Sequence, residues 1–110
     1  MKVYTDANPT MVACVPEDKM RQQPILQPLY PARTNNEAEY LAILIALEHF
    51  TNVTEILSDS QLVINQLNHM FHIKEDRLRN LAIKVWSLTK GSVIFTWVPR
   101  KDNLAGKMLK

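Results

Sequence analysis

The sequence predicts an α/β fold: a mixed five-stranded sheet flanked by helices, its first three strands antiparallel and the later ones added in parallel. Three observations carry that expectation. Short β-branched and aromatic runs open the chain, the apolar spacing changes to a helical rhythm at Asn35, and from there helices and strands alternate. Helices between strands imply parallel pairing, whereas three neighbouring strands without one can form an antiparallel meander.

The first strand is read at Lys2 to Asp6 and the second at Met11 to Val15, closed by a turn at Pro16-Glu17-Asp18-Lys19. Pro24 to Pro31 alternates apolar and polar residues, but its three prolines cannot donate to a ladder and confine it to a sheet edge. From Asn35 to Phe50 the residues Tyr40, Ile43, Leu44 and Leu47 recur along one helical face, with Thr34 or Asn35 as cap. A brief strand follows at Thr54 to Ser58, then a short helix from Ser60 to Asn68. A longer helix is expected from Lys74 to Thr89, with Leu78, Leu81, Ala82, Val85 and Leu88 inward, ending at Lys90-Gly91. Ser92 to Val98 is the last strand, and Asp102 or Asn103 can cap a final helical stub that ends at Lys110.

Composition bounds the molecule without choosing its function. A chain of 110 residues, 46% hydrophobic, suits one domain over residues 1–110. A net charge of +2 does not by itself imply a nucleic-acid partner. The single cysteine, Cys14, lies in an apolar run and reads as a small core residue in a reducing compartment. Met1-Lys2-Val3-Tyr4 runs straight into a strand, which argues against a signal peptide, and no apolar stretch is long enough to cross a bilayer. The expectation is a cytoplasmic monomer with no membrane partner and no obligate protein partner.

Three segments carry chemistry: Tyr4-Thr5-Asp6, Thr34-Asn35-Asn36-Glu37-Ala38-Glu39-Tyr40 and Ser58-Asp59-Ser60-Gln61. Each sets a carboxylate at the end of a strand or the start of a helix. Acids crowded at such junctions repel one another unless a divalent cation lies between them, which points to metal-dependent chemistry on a phosphodiester. Any one of these acids alone would read as a helix cap or a solvated charge.

In this order the motifs resemble type 1 ribonuclease H, the enzymes that cut the RNA strand of RNA–DNA hybrids, and the resemblance covers nearly the whole chain. It implies the ribonuclease H-like fold and a catalytic, metal-binding set of Asp6, Glu39 and Asp59. Glu39 is preferred to Glu37, which should be solvated. It also implies two Mg²⁺ or Mn²⁺ ions flanking the scissile phosphate, and products with 5′-phosphate and 3′-hydroxyl ends. For substrate it suggests Asn8 and Glu39 near the 2′-hydroxyl, and Asn35, Asn36 and Gln61 at minor-groove base edges. Arg100, with Arg33, Lys101 and Lys107, is placed to hold phosphates.

The chain departs from the family at the fourth ligand. The usual aspartate opens the last helix, and aligning Asp-Asn-Leu-Ala with that stretch puts Asn103 in its place, as a neutral amide ligand; the alternative is Asp102. The glycine-rich turn after the first aspartate is shortened to Ala7-Asn8-Pro9-Thr10, and no histidine lies between Val98 and Asn103. His49, His69 and His72 read as ordinary surface or half-buried residues. The basic insertion of some members is missing. Three competing readings therefore stand: a non-catalytic hybrid- or duplex-binding module, a DNA-cutting junction resolvase of the same fold, and a scaffold with no nucleic-acid role.

Overall fold

A computed structural model describes residues 1–18 and 20–109; Lys19 of the expected turn and Lys110 of the expected stub lie outside the described residues. Five strands, β1 (Lys2–Asn8), β2 (Met11–Pro16), β3 (Ile25–Pro28), β4 (Glu55–Ser58) and β5 (Ile94–Trp97), form one sheet in the order β3-β2-β1-β4-β5. The pairs β1·β2 and β2·β3 are antiparallel, and β1·β4 and β4·β5 are parallel, as the alternation of elements predicts. Proline-rich β3 takes the edge. Among the described residues there are three α-helices, α1 (Asn35–His49), α2 (Gln61–Leu67) and α3 (Asp76–Thr89). No helix among the described residues is long and apolar enough to cross a membrane.

The strand pleat divides the core. On one face Val3, Cys14, Ile56 and Phe95 pack with Tyr40, Ile43, Leu67, Leu78 and Val85 from the three helices. On the other, Ala13 and Val15 meet Ala105, with Tyr4, Leu104 and Met108 against them. The expected terminal stub is therefore present but wound as two short 3-10 turns, Arg100–Asp102 and Leu104–Met108. Cys14 sits fully inside, its thiol donating to the Ala42 carbonyl oxygen at 3.3 Å, and burial pushes that thiol up to about 12.

Helix α1 starts where expected and is capped by Thr34. Its hydroxyl accepts from the Glu37 backbone N–H at 3.2 Å, while the Glu37 carboxylate accepts from the Thr34 N–H at 3.3 Å. Glu37 is thus not the solvated residue the sequence suggested: its side chain is 12% exposed and lies 3.8 Å from Arg77. The cap draws it back along the helix end and out of competition with Glu39.

Other expectations shift at element ends. β1 runs on to Asn8, so Asp6 is not its last residue, because pairing with β2 continues for two residues beyond it. In α3 the inward face holds Leu78, Ala82, Val85 and Thr89, whereas Leu88 is exposed. Thr89 can be buried because its hydroxyl donates to the Trp86 carbonyl within the same turn. Lys90 and Gly91 then leave the helix through left-handed backbone, as read. The histidines at 49, 69 and 72 are all exposed.

Tyr40 has a role beyond its bulk. Its ring is fully buried, and its hydroxyl donates to the Gln66 side-chain oxygen at 2.8 Å, tying α1 to α2 through the core. Tyr40→Phe keeps the ring but strands the Gln66 acceptor, so it should cost about 1–3 kcal/mol. Urea unfolding of the two proteins checks this; equal midpoints would show that the bond contributes nothing.

Candidate active site

The site begins with a register. Thr5 pairs with Ser58 across the parallel β1·β4 ladder, so the next residues, Asp6 and Asp59, emerge side by side at the same end of neighbouring strands. Adjacent strands lie only about 4.8 Å apart, which crowds the two carboxylates. This is also the place where the strand order reverses, the usual location of a ligand crevice in an open α/β sheet. Glu39, one turn into α1, reaches in from the helical face. Among the described residues, Asp6, Glu39 and Asp59 form a trio in which one oxygen from each lies within 4.8 Å of the others.

Electrostatics make this trio costly on its own. Burial first, and then the charges of Asp6 and Asp59, push the Glu39 carboxyl up to about 9. Asp6 is likewise raised, mainly by burial and then by Asp59. The Ala7 backbone N–H at 2.9 Å, the Glu39 hydrogen bond and the Arg100 charge pull it back. Glu39 is 8% exposed, and its Oε1 is buried with no hydrogen-bond partner. An orphaned carboxylate oxygen beside two further carboxylates is the donor set a hard divalent cation requires, so the residues present fit such an ion.

Asn103 requires a correction. It is fully buried, and its Nδ2 donates to the Thr5 carbonyl oxygen at 2.9 Å and to Asp59 Oδ2 at 3.4 Å. Its Oδ1 accepts from the Ala105 N–H at 3.1 Å, capping the last 3-10 turn. Reversing the amide would set oxygen against the Thr5 oxygen and NH₂ against the Ala105 N–H, so the network fixes this orientation. The amide oxygen is therefore engaged away from the acids, and Asn103 holds Asp59 rather than offering a fourth oxygen. The alternative, Asp102, is exposed and outside the trio.

Gly106 of the C-terminal segment lies directly against Asp6. A Cβ built there would stand 2.9 Å from Asp6 Oδ2. Sequence reasoning missed it; the available signal was a glycine inside a helical stub, a costly placement that often marks close approach. It also missed Trp97, whose indole N–H donates to the Asp59 carbonyl oxygen at 3.1 Å and fixes the aspartate from the β5 side.

A cavity of about 290 Å³ opens over Asp6 and Glu39 and is walled by Asn8, Asn35, Gly106 and three basic residues, Arg100, Lys101 and Lys107. Of the expected substrate residues, Asn8, Asn35 and Arg100 are thus brought to the acids. Asn8 also folds the shortened turn, accepting from the Thr10 N–H at 3.0 Å. Asn36 lines a separate groove with Gln66, Phe71 and His72, and exposed Gln61 lines neither space.

Comparison with known proteins agrees with this fold. The family model described as reverse transcriptase-like matches residues 10–109. Among solved structures, the N-terminal RNase H domain of Rv2228c from Mycobacterium tuberculosis is 23% identical with a TM-score of 0.78, over 98% of this chain and 93% of that one. LC11-RNase H1, solved in complex with an RNA/DNA hybrid, is 22% identical with a TM-score of 0.79, over 99% of each chain. RNase H1 from the halophilic archaeon Halobacterium salinarum is 25% identical with a TM-score of 0.77, over 98% and 92%.

Two predictions follow from the local charges. Without a cation, the folded chain keeps a proton on Glu39 that the unfolded chain releases above about 4.5, so stability should fall as pH rises from there to about 9. Melting curves in EDTA check the slope, and Glu39→Gln should flatten it and raise the midpoint at pH 8 by about 4 °C or more. Asn103→Asp should lose about 3 kcal/mol, since it aims an anionic oxygen at the Thr5 carbonyl and Asp59. A variant as stable as the parent in chemical denaturation would remove Asn103 from its holding role.

Proposed function

Because the chain belongs to the reverse transcriptase-like family and has the ribonuclease H fold, we propose that it is a metal-dependent endoribonuclease acting on the RNA strand of RNA–DNA hybrids. Hydrolysis would leave 5′-phosphate and 3′-hydroxyl ends. The observation that carries this reading is the trio Asp6, Glu39 and Asp59, in which one buried Glu39 oxygen has no hydrogen-bond partner.

The three carboxylates would hold Mg²⁺ or Mn²⁺. When bound, such a cation activates water and neutralises charge on the phosphate under attack. Everything else falls to the chain. Asn103 and Trp97 hold Asp59 from two sides, and the Ala7 N–H orients Asp6. Arg100, Lys101 and Lys107 surround the acids with positive charge, suited to drawing in a polyanion that the bare carboxylates would repel. The Asn8 and Asn35 amides, on the same wall, can donate to and accept from 2′-hydroxyls and minor-groove edges without strict sequence choice. Asn36, in its separate groove, and exposed Gln61 would reach the hybrid only beyond the cavity. The reading is of a monomer in the cytoplasm, with the hybrid as partner.

One feature favours a second reading, a binding module of the same fold: the C-terminal segment brings glycine rather than a carboxylate to the acids. Cleavage of an end-labelled hybrid, with double-stranded RNA and DNA as controls, separates the two. In Mg²⁺ or Mn²⁺ we expect cuts confined to the RNA of the hybrid, abolished by EDTA and reduced more than ~100-fold by Asp59→Asn. Hybrid binding that survives EDTA, with no cleavage in either metal, would establish the binding module. Cutting of the DNA duplex alone would point to a resolvase.

A further inference from the structure

We propose that Lys107 is a catalytic residue of this site: its ammonium gives the proton that the 3′ oxygen of the RNA takes up as it leaves phosphorus. The inference rests on the metal-dependent cleavage proposed above and assigns a step that the carboxylates leave open.

The need comes from the products. Ends of the 5′-phosphate and 3′-hydroxyl type require that the bond between phosphorus and the 3′ oxygen breaks. The oxygen of water bonds to phosphorus, and the electron pair of the broken bond goes to the 3′ oxygen, which must gain a proton to become the hydroxyl. Asp6, Glu39 and Asp59 cannot give it while they hold a cation, because carboxylates ligate in their ionised form.

The donor is found by elimination along the cavity wall. Asn8 and Asn35 are amides, and Arg100 is a guanidinium that does not release its proton. Among the described residues lining the cavity there is no histidine, and Lys101 and Lys107 carry the transferable protons. Anchoring separates the two lysines. Lys101 belongs to the exposed turn Arg100–Asp102, which has no side-chain cap. Lys107 belongs to the turn Leu104–Met108, which Asn103 caps and Ala105 fastens to Ala13 and Val15 of the sheet. Gly106, its neighbour, lies against Asp6, so the backbone that carries Lys107 is held beside the acids. The side chain itself is exposed, and among the described residues no ion pair engages it.

Arg100 has a different task. Its charge lowers both Asp6 and Glu39, so it stands near the acids, suited to holding the phosphate. After the transfer Lys107 is a neutral amine that regains its proton from solvent. The proton of the attacking water also passes to solvent, so atoms and charge balance without a further reactant.

Single-turnover cleavage of an end-labelled hybrid in Mn²⁺ tests this, with hybrid binding in EDTA measured beside it. Lys107→Ala should cut ~100-fold more slowly, and Lys107→Arg, which keeps the charge without a transferable proton, should be as slow. Both should bind the hybrid within ~5-fold of the parent, because at most one positive charge is lost. The deciding substrate carries sulfur in place of the 3′ oxygen at one mapped cut. A thiolate leaves without a proton, so parent and variants should cut that bond at rates within ~5-fold of one another. Lys107→Ala at the parental rate, Lys107→Arg as active as the parent, or a defect that persists in full on the sulfur substrate would each overturn the proposal. Melting curves should match the parent's, since the position is exposed. A native chain that cuts neither substrate in Mg²⁺ or Mn²⁺ would instead bring down the nuclease reading, and this step with it.

Discussion

The parallel pairing of β1 with β4 is the constraint on which the site depends. Antiparallel neighbours would send residues 6 and 59 to opposite ends of the sheet. Parallel pairing in the register Thr5 to Ser58 delivers both to the same edge at the same height. That register is itself fixed by burial: Val3 and Ile56 must both face the helices, and a slip of one residue would turn one of them to the wrong side. The hydrophobic core and the acidic cluster are thus two consequences of one alignment.

Crowding the acids works against the fold, and the surrounding structure is arranged to tolerate it. Asn103 directs N–H groups at Asp59 and at the Thr5 carbonyl, Trp97 takes the Asp59 carbonyl, and Ala7 supplies a backbone N–H to Asp6. Glu39 receives no such help at Oε1. The unmet demand of a buried polar group is concentrated on one oxygen, in the place where a ligand has most to offer.

Much of this could be read from the sequence, and what could not has a physical cause. The strands, the edge position of the proline-rich run, the helices and the three acids were all legible, because periodicity and capping are local properties. The capping box at Thr34 and Glu37 was only half legible: the cap was expected, but the glutamate's share in it was not, so Glu37 was left to solvent. The C-terminal segment was read least well. Asn103 looked like a ligand by alignment, yet whether an amide presents oxygen or nitrogen depends on Thr5 and Ala105, which local pattern does not reveal. Gly106 escaped notice because its contribution is an absence, visible only once Asp6 stands opposite it.

The bond from Asn103 to the Thr5 carbonyl spans 98 residues, nearly the whole chain. A ribosome makes a protein from one end, at about 5–20 residues per second, so β1 and its aspartate wait through the synthesis of all the residues between for this donor. Until residue 103 has emerged, the Thr5 carbonyl and Asp59 lack that clamp and the cradle is unfinished. A chain that stalls before that residue leaves Thr5 and Asp59 without the amide that ties them together.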